Sequence, residues 1–65
     1  MKLYVWHEVL CDYTCGVMFA LANSEEEARD IIKTDNNRYM WVRKDLEKKP
    51  EVYENPVGFI VWGGG

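Results

Sequence analysis

Lys2-Leu3-Tyr4-Val5-Trp6-His7-Glu8-Val9-Leu10-Cys11 puts large apolar side chains at inward and outward positions alike. Successive residues of a strand point to opposite faces, so a strand of this composition has two apolar faces to cover. Phe59-Ile60-Val61-Trp62 repeats the pattern near the other end of the chain. A chain of 65 residues makes one domain. At that size, folding buries only about 60% of the surface the unfolded chain exposes, and little material remains to shelter a second sheet face. Another copy of the chain, a partner or a ligand is expected to cover it.

Residues 15–22 read as the second strand. Asp12-Tyr13-Thr14, with Gly16 just beyond, suits a short hairpin loop with a bulge. Setting Cys11 opposite Cys15 pairs Val9 with Val17, His7 with Phe19 and Val5 with Leu21. Leu3, Val5, Val9, Val17, Phe19 and Leu21 then share one strongly apolar face. The reverse face carries Tyr4, Trp6, Glu8, Leu10, Met18, Ala20 and Ala22. A slip of one residue would reshuffle these neighbours.

Ser24-Glu25-Glu26-Glu27 is a capping box. The Ser24 hydroxyl is expected to accept from the third helical amide, and Glu27 to reach back to the Ser24 amide. The three acids also complement the positive end of the helix dipole. Ala28, Ile31 and Ile32 give one narrow apolar stripe at helical spacing. Residues 38–49 read as a second helix, with Tyr39, Val42 and Leu46 on one face and Pro50 as the stop; Tyr39 to Val42 also suits a short strand. Asn55-Pro56-Val57-Gly58 has the residues of a type I turn and should join a strand at 52–54 to a final strand at 58–62. The order β-β-α-α-β-β predicts a two-layer α+β fold, an antiparallel sheet of about four strands with two helices on one face. The Leu3/Val5/Phe19/Leu21 face is expected to meet the helices, leaving the Tyr4/Trp6/Met18 face over.

The net charge of −3 argues against a DNA or RNA polymer as partner, because such binders need a basic surface to displace counterions. No apolar run approaches the ~18 residues of a membrane span, and His7 and Glu8 interrupt any leader-like stretch. The expected location is the cytoplasm, where Cys11 and Cys15 would be thiols, although an oxidised link across the loop is geometrically conceivable. His7 and Cys11 lie four residues apart on a strand, over ~13 Å, too far to share a metal ion, so neither metal nor cofactor is expected. No nucleophile motif or phosphate-binding glycine loop occurs, and the chain reads as a non-enzyme.

Tyr4, Trp6, Met18 and Trp62 are the candidate contact surface, since Trp and Tyr combine apolar area with a polar handle. Tyr13 sits at the loop tip and is placed to project into a partner. Arg38, Arg43 and Lys44 are candidate anion contacts, which beside stacked aromatics would suit a small nucleotide-like ligand.

Two resemblances bear on function. A starting hairpin followed by a helix, with glycines at 63–65, resembles the ubiquitin-like sulfur carrier proteins. That resemblance implies adenylation and thiolation of a terminal carboxylate, with Gly64 and Gly65 as the matching residues. Carriers extend their diglycine on a flexible tail, and an apolar strand running to Trp62 leaves almost none. Separately, Asp12-Tyr13-Thr14, Gly16, Phe19-Ala20-Leu21-Ala22 and Ser24-Glu25-Glu26-Glu27-Ala28-Arg29 look like segments of short bacteriophage-encoded proteins. That likeness implies an inhibitor of a host defence system, acting in the host cytoplasm as a homo-oligomer. Such an inhibitor would block a host protein or sequester a nucleotide-like signal. A purely structural oligomer is the remaining alternative.

Overall fold

The computed structural model describes residues 1–36 and 40–62. Strands β1 (Lys2–Val9) and β2 (Gly16–Ala22) form the hairpin; helices α1 (Glu25–Asn36) and α2 (Met40–Asp45) follow, then strand β3 (Glu51–Tyr53). The sheet is antiparallel in the order β2-β1-β3, so the fold is α+β with three strands among the described residues. The strand expected at 52–54 is β3, one residue earlier. That expected at 58–62 is absent, because residues 54–62 hold no regular secondary structure. Pro56 cannot donate to a ladder. The segment beyond it instead crosses the face of the sheet, with the Phe59 ring edge-on to His7 and Tyr53 at 4.9 and 5.2 Å.

The hairpin register differs from expectation by two residues. Val5 pairs with Phe19, His7 with Val17, and Val9 with Gly16 across a bulge. Through His7 an even shift leaves the residues on their predicted faces, since strand side chains alternate with period two. Beyond the bulge Val9 changes face, and it packs in the core with Tyr4, Trp6 and Met18 instead of beside Val5 as expected. Covering is what the sequence reading inverts. The helices lie on the Tyr4/Trp6/Met18/Ala20/Ala22 face, and these residues join Ala28, Ile32, Val42 and Leu46 in the core. The expected contact residues Tyr4, Trp6 and Met18 are therefore buried, Trp6 to 1% exposure. The reason is steric. Ala20 and Ala22 leave a slot into which α1 can settle on its own Ala28, whereas Phe19 and Leu21 on the other face would hold a helix away.

Helix α1 begins as the capping signal predicts. The Glu27 amide donates to Ser24 Oγ at 3.1 Å, a cap worth about 1 kcal/mol. Glu27 reaches back one residue further than expected, accepting from the Asn23 amide at 3.1 Å. Ile31 is exposed and only Ala28 and Ile32 turn inward, so the stripe is narrower than predicted.

Helix α2 ends at Asp45, before the 49 predicted, and residues 38 and 39 of the predicted helix, Tyr39 among them, lie outside the described residues. Beyond Asp45 the chain tightens into turns, Glu47 N–H to the Lys44 carbonyl and Lys48 N–H to the Asp45 carbonyl, both at 3.1 Å, so the carbonyls left for other donors are those of the turn that follows the helix. Arg29 on α1 supplies that need, donating from Nε to the Leu46 carbonyl at 2.7 Å and from Nη2 to the Lys48 carbonyl at 3.2 Å. Trp6 Nε1 donates to the same Lys48 carbonyl at 2.8 Å. The two cysteines, expected as thiols, are joined in a Cys11–Cys15 disulfide.

Candidate binding surface

The second face of the sheet is built by alternate residues of the hairpin, Leu3, Val5 and His7 on β1 with Val17, Phe19 and Leu21 on β2. Residues 57–62 cover only part of it. Val5, His7 and Gly16 line an open groove of about 690 Å³ with Ile60, Val61 and Trp62 from that segment, and Val5 beneath is fully buried. Towards the β2 edge the cover stops, leaving Phe19 64% and Leu21 59% exposed. The covering segment is itself apolar outward, with Ile60 80% and Trp62 88% exposed. The uncovered apolar face is therefore opposite the one predicted, and Trp62 is the one expected aromatic still in it.

The rim of this surface is polar. His7 Nε2 lies 3.9 Å from a Glu51 oxygen, and the Tyr53 hydroxyl donates to the same carboxylate. That hydrogen bond is the main cause that raises the Tyr53 pKa above its ordinary value, with desolvation and the Glu51 charge adding to it. No charged residue occurs from Gly16 to Ala22.

Tyr13 stands fully out at the tip of the disulfide-closed loop, as expected. The anion contacts do not assemble. Arg38 lies outside the described residues. Arg43 and Lys44 are neighbours on α2, and adjacent helical residues do not face the same way. Lys44 lines a second open groove, about 1120 Å³, between the loop after β1 and α2. There acids outnumber bases, with Glu8, Asp12, Asp45 and Glu47 set against Lys44 and Lys48, a balance that repels a phosphate. Gly64 and Gly65 also fall outside the described residues. Among the described residues, no three His, Cys, Asp or Glu side chains converge as a metal site requires, and no helix is long and apolar enough to cross a membrane.

Sequence reasoning missed Phe19, Leu21 and Arg29. The small pair Ala20 and Ala22 was the available signal for the first two, since small side chains mark the side that a helix can approach. Nothing in the pattern around Arg29 distinguishes it from a solvated helix residue. Compared with family models, curated proteins and solved structures, the chain matches none.

Proposed function

We propose that the chain is a small non-enzymatic binding protein that self-associates through its second sheet face. The supporting observation is the exposed apolar surface of Phe19, Leu21, Ile60 and Trp62 beside a fully packed core. Aromatic side chains bury about 150–250 Å² each, so this surface with its apolar neighbours offers on the order of 700 Å². A stable interface takes ~800 Å² per partner. A second copy is the occupant that fits best: copies of net charge −3 repel at distance, and an uncharged β2 lets them meet without burying that charge. In the setting implied by the likeness to phage-encoded proteins, the assembled form blocks a host defence protein. The acidic lining around Lys44 favours a protein target over a nucleotide-like signal, and the host cytoplasm is the proposed location.

Native mass spectrometry tests this directly. The wild-type chain should run as a defined homo-oligomer, and Phe19→Asp, an exposed position whose change spares the core, should be monomeric with unchanged far-ultraviolet circular dichroism. A wild-type chain that stays monomeric at its highest soluble concentration would overturn the proposal.

One observation favours the sulfur-carrier reading as a second choice. Residues 54–62 are irregular and Trp62 is exposed, so the run to the glycines is freer than a strand ending at Trp62. Deleting Gly65 abolishes thiolation in a carrier and leaves self-association through Phe19 unchanged. Intact-mass analysis of the C-terminus from expressing cells, showing carboxylate and no thiocarboxylate, ends this second reading.

A further inference from the structure

The hairpin is held in two registers at once. Through His7 the strands keep one alignment, with His7 opposite Val17. Continued unbroken, it would set Cys11 opposite Tyr13. The disulfide instead ties Cys11 to Cys15. Between these points β1 advances from residue 7 to 11 while β2 retreats only from 17 to 15, so β1 must absorb two extra residues. The first is Glu8, where the ladder steps to Val9 opposite Gly16. The second is Leu10. Among the described residues these are the two non-glycine positions with positive φ, 55° and 54°, a region that L-residues enter at a conformational cost. The mismatch is thus localised on two named residues beside a disulfide whose cysteines are both exposed.

Leu10 also carries the consequence. Its N–H donates to Asp45 Oδ2 at 2.7 Å, which ties the loop to the end of α2 and sets one wall of the groove that Leu10, Cys11 and Trp41 line. Asp45 has a second partner in Lys48 Nζ at 3.6 Å, so releasing Leu10 would not strand the carboxylate.

We infer that Cys11–Cys15 is a redox-active site whose reduction by a dithiol releases Leu10 from Asp45 and remodels the groove between the loop and α2. A thiolate of the dithiol attacks one cysteine sulfur, and the other leaves as a thiolate that takes a proton. The second thiol of the reductant resolves the mixed disulfide. Two electrons and two protons pass to Cys11 and Cys15, and the dithiol becomes a disulfide. With the covalent tie gone, Glu8 and Leu10 are free to return to ordinary strand geometry. Glu8 and Cys15 line the groove that Trp62 also borders, but Phe19 does not, so Phe19→Asp leaves the disulfide in place and lets this inference be tested apart from the oligomer.

The test uses the ¹⁵N-labelled full chain, titrated with dithiothreitol and followed by amide spectra, with the thiols counted by alkylation. Reduction should reversibly shift the amides of Glu8, Leu10, residues 11–16 and Asp45, leave those of Tyr4 and Ala20 in place, and speed exchange of the Leu10 amide at least tenfold. A Cys11→Ser/Cys15→Ser variant should show the reduced spectrum with or without dithiol. Three results overturn the inference: a disulfide that resists dithiol in the folded chain, two alkylated thiols with Leu10 and Asp45 unmoved, or collapse of the whole spectrum on reduction. The last would make the bond a structural staple.

Discussion

Trp6→Ala is expected to unfold the chain near room temperature. Trp6 is 1% exposed at the centre of the core, and truncating a buried aromatic to alanine costs about 3–5 kcal/mol. Two further losses accompany the cavity. The Lys48 carbonyl loses the indole N–H bonded at 2.8 Å, a net loss of about 1 kcal/mol, and the Arg29 guanidinium, 5.7 Å above the ring centroid, loses its aromatic partner. At 0.05–0.15 kcal/mol per residue, a domain of this size holds on the order of 3–10 kcal/mol in total. The loss therefore consumes most of the stability. Thermal denaturation followed by circular dichroism should show no cooperative transition for Trp6→Ala. Trp6→Phe, which keeps most of the packing and loses the N–H, should stay folded with a lowered midpoint. An unchanged midpoint in Trp6→Ala would place Trp6 outside the core and restore it to the contact surface.

That reversal of role marks where the sequence was legible and where it was not. The hairpin and the α1 cap were readable because local chemistry decides them: alternation sets which residues share a face, and Ser24 with Glu27 sets where the helix begins. The sharing of faces survived a two-residue register error as far as His7, and failed at Val9, which the bulge turns to the other side. Which face the helices take was not readable from hydrophobicity, because both faces are apolar and burial has no direction. It is decided by volume, through the small Ala20 and Ala22 against the bulky Phe19 and Leu21. The segment 58–62 read as a strand because its residues suit one. A strand also needs an edge to pair with, and this segment is engaged over the face, with Phe59 on His7 and Tyr53. The candidate site followed from these outcomes. Trp62 kept its place, Tyr4, Trp6 and Met18 passed into the core, and the surface moved to residues that had been assigned to the core.

Arg29→Ala is the second large effect, expected to cost about 1.5–3 kcal/mol, the range for hydrogen bonds made by a charged donor. Helix α2 has six residues, far below the length at which an isolated helix is stable in water, so it depends on what grips it. Val42 and Leu46 supply the apolar hold. Arg29 supplies the polar one through the Leu46 and Lys48 carbonyls, with its own guanidinium oriented by Glu25 one turn earlier on α1. Removing it takes the Arg29 donor from the Leu46 carbonyl and leaves the Lys48 carbonyl with the Trp6 indole N–H, and should loosen α2 and the turn after it before the sheet. Amide exchange is the discriminating measurement, with faster exchange across residues 42–48 and little change at Tyr4 or Ala20. Two further variants separate the contributions. Arg29→Met retains the apolar stem over Trp6 without the donors. Arg29→Lys keeps the charge but cannot fork to both carbonyls, so it should recover less than half of the loss. If Met and Lys variants both match the wild type in midpoint and exchange, water satisfies those carbonyls equally well, and α2 is held without Arg29, by Val42, Leu46 and the Leu10–Asp45 bond.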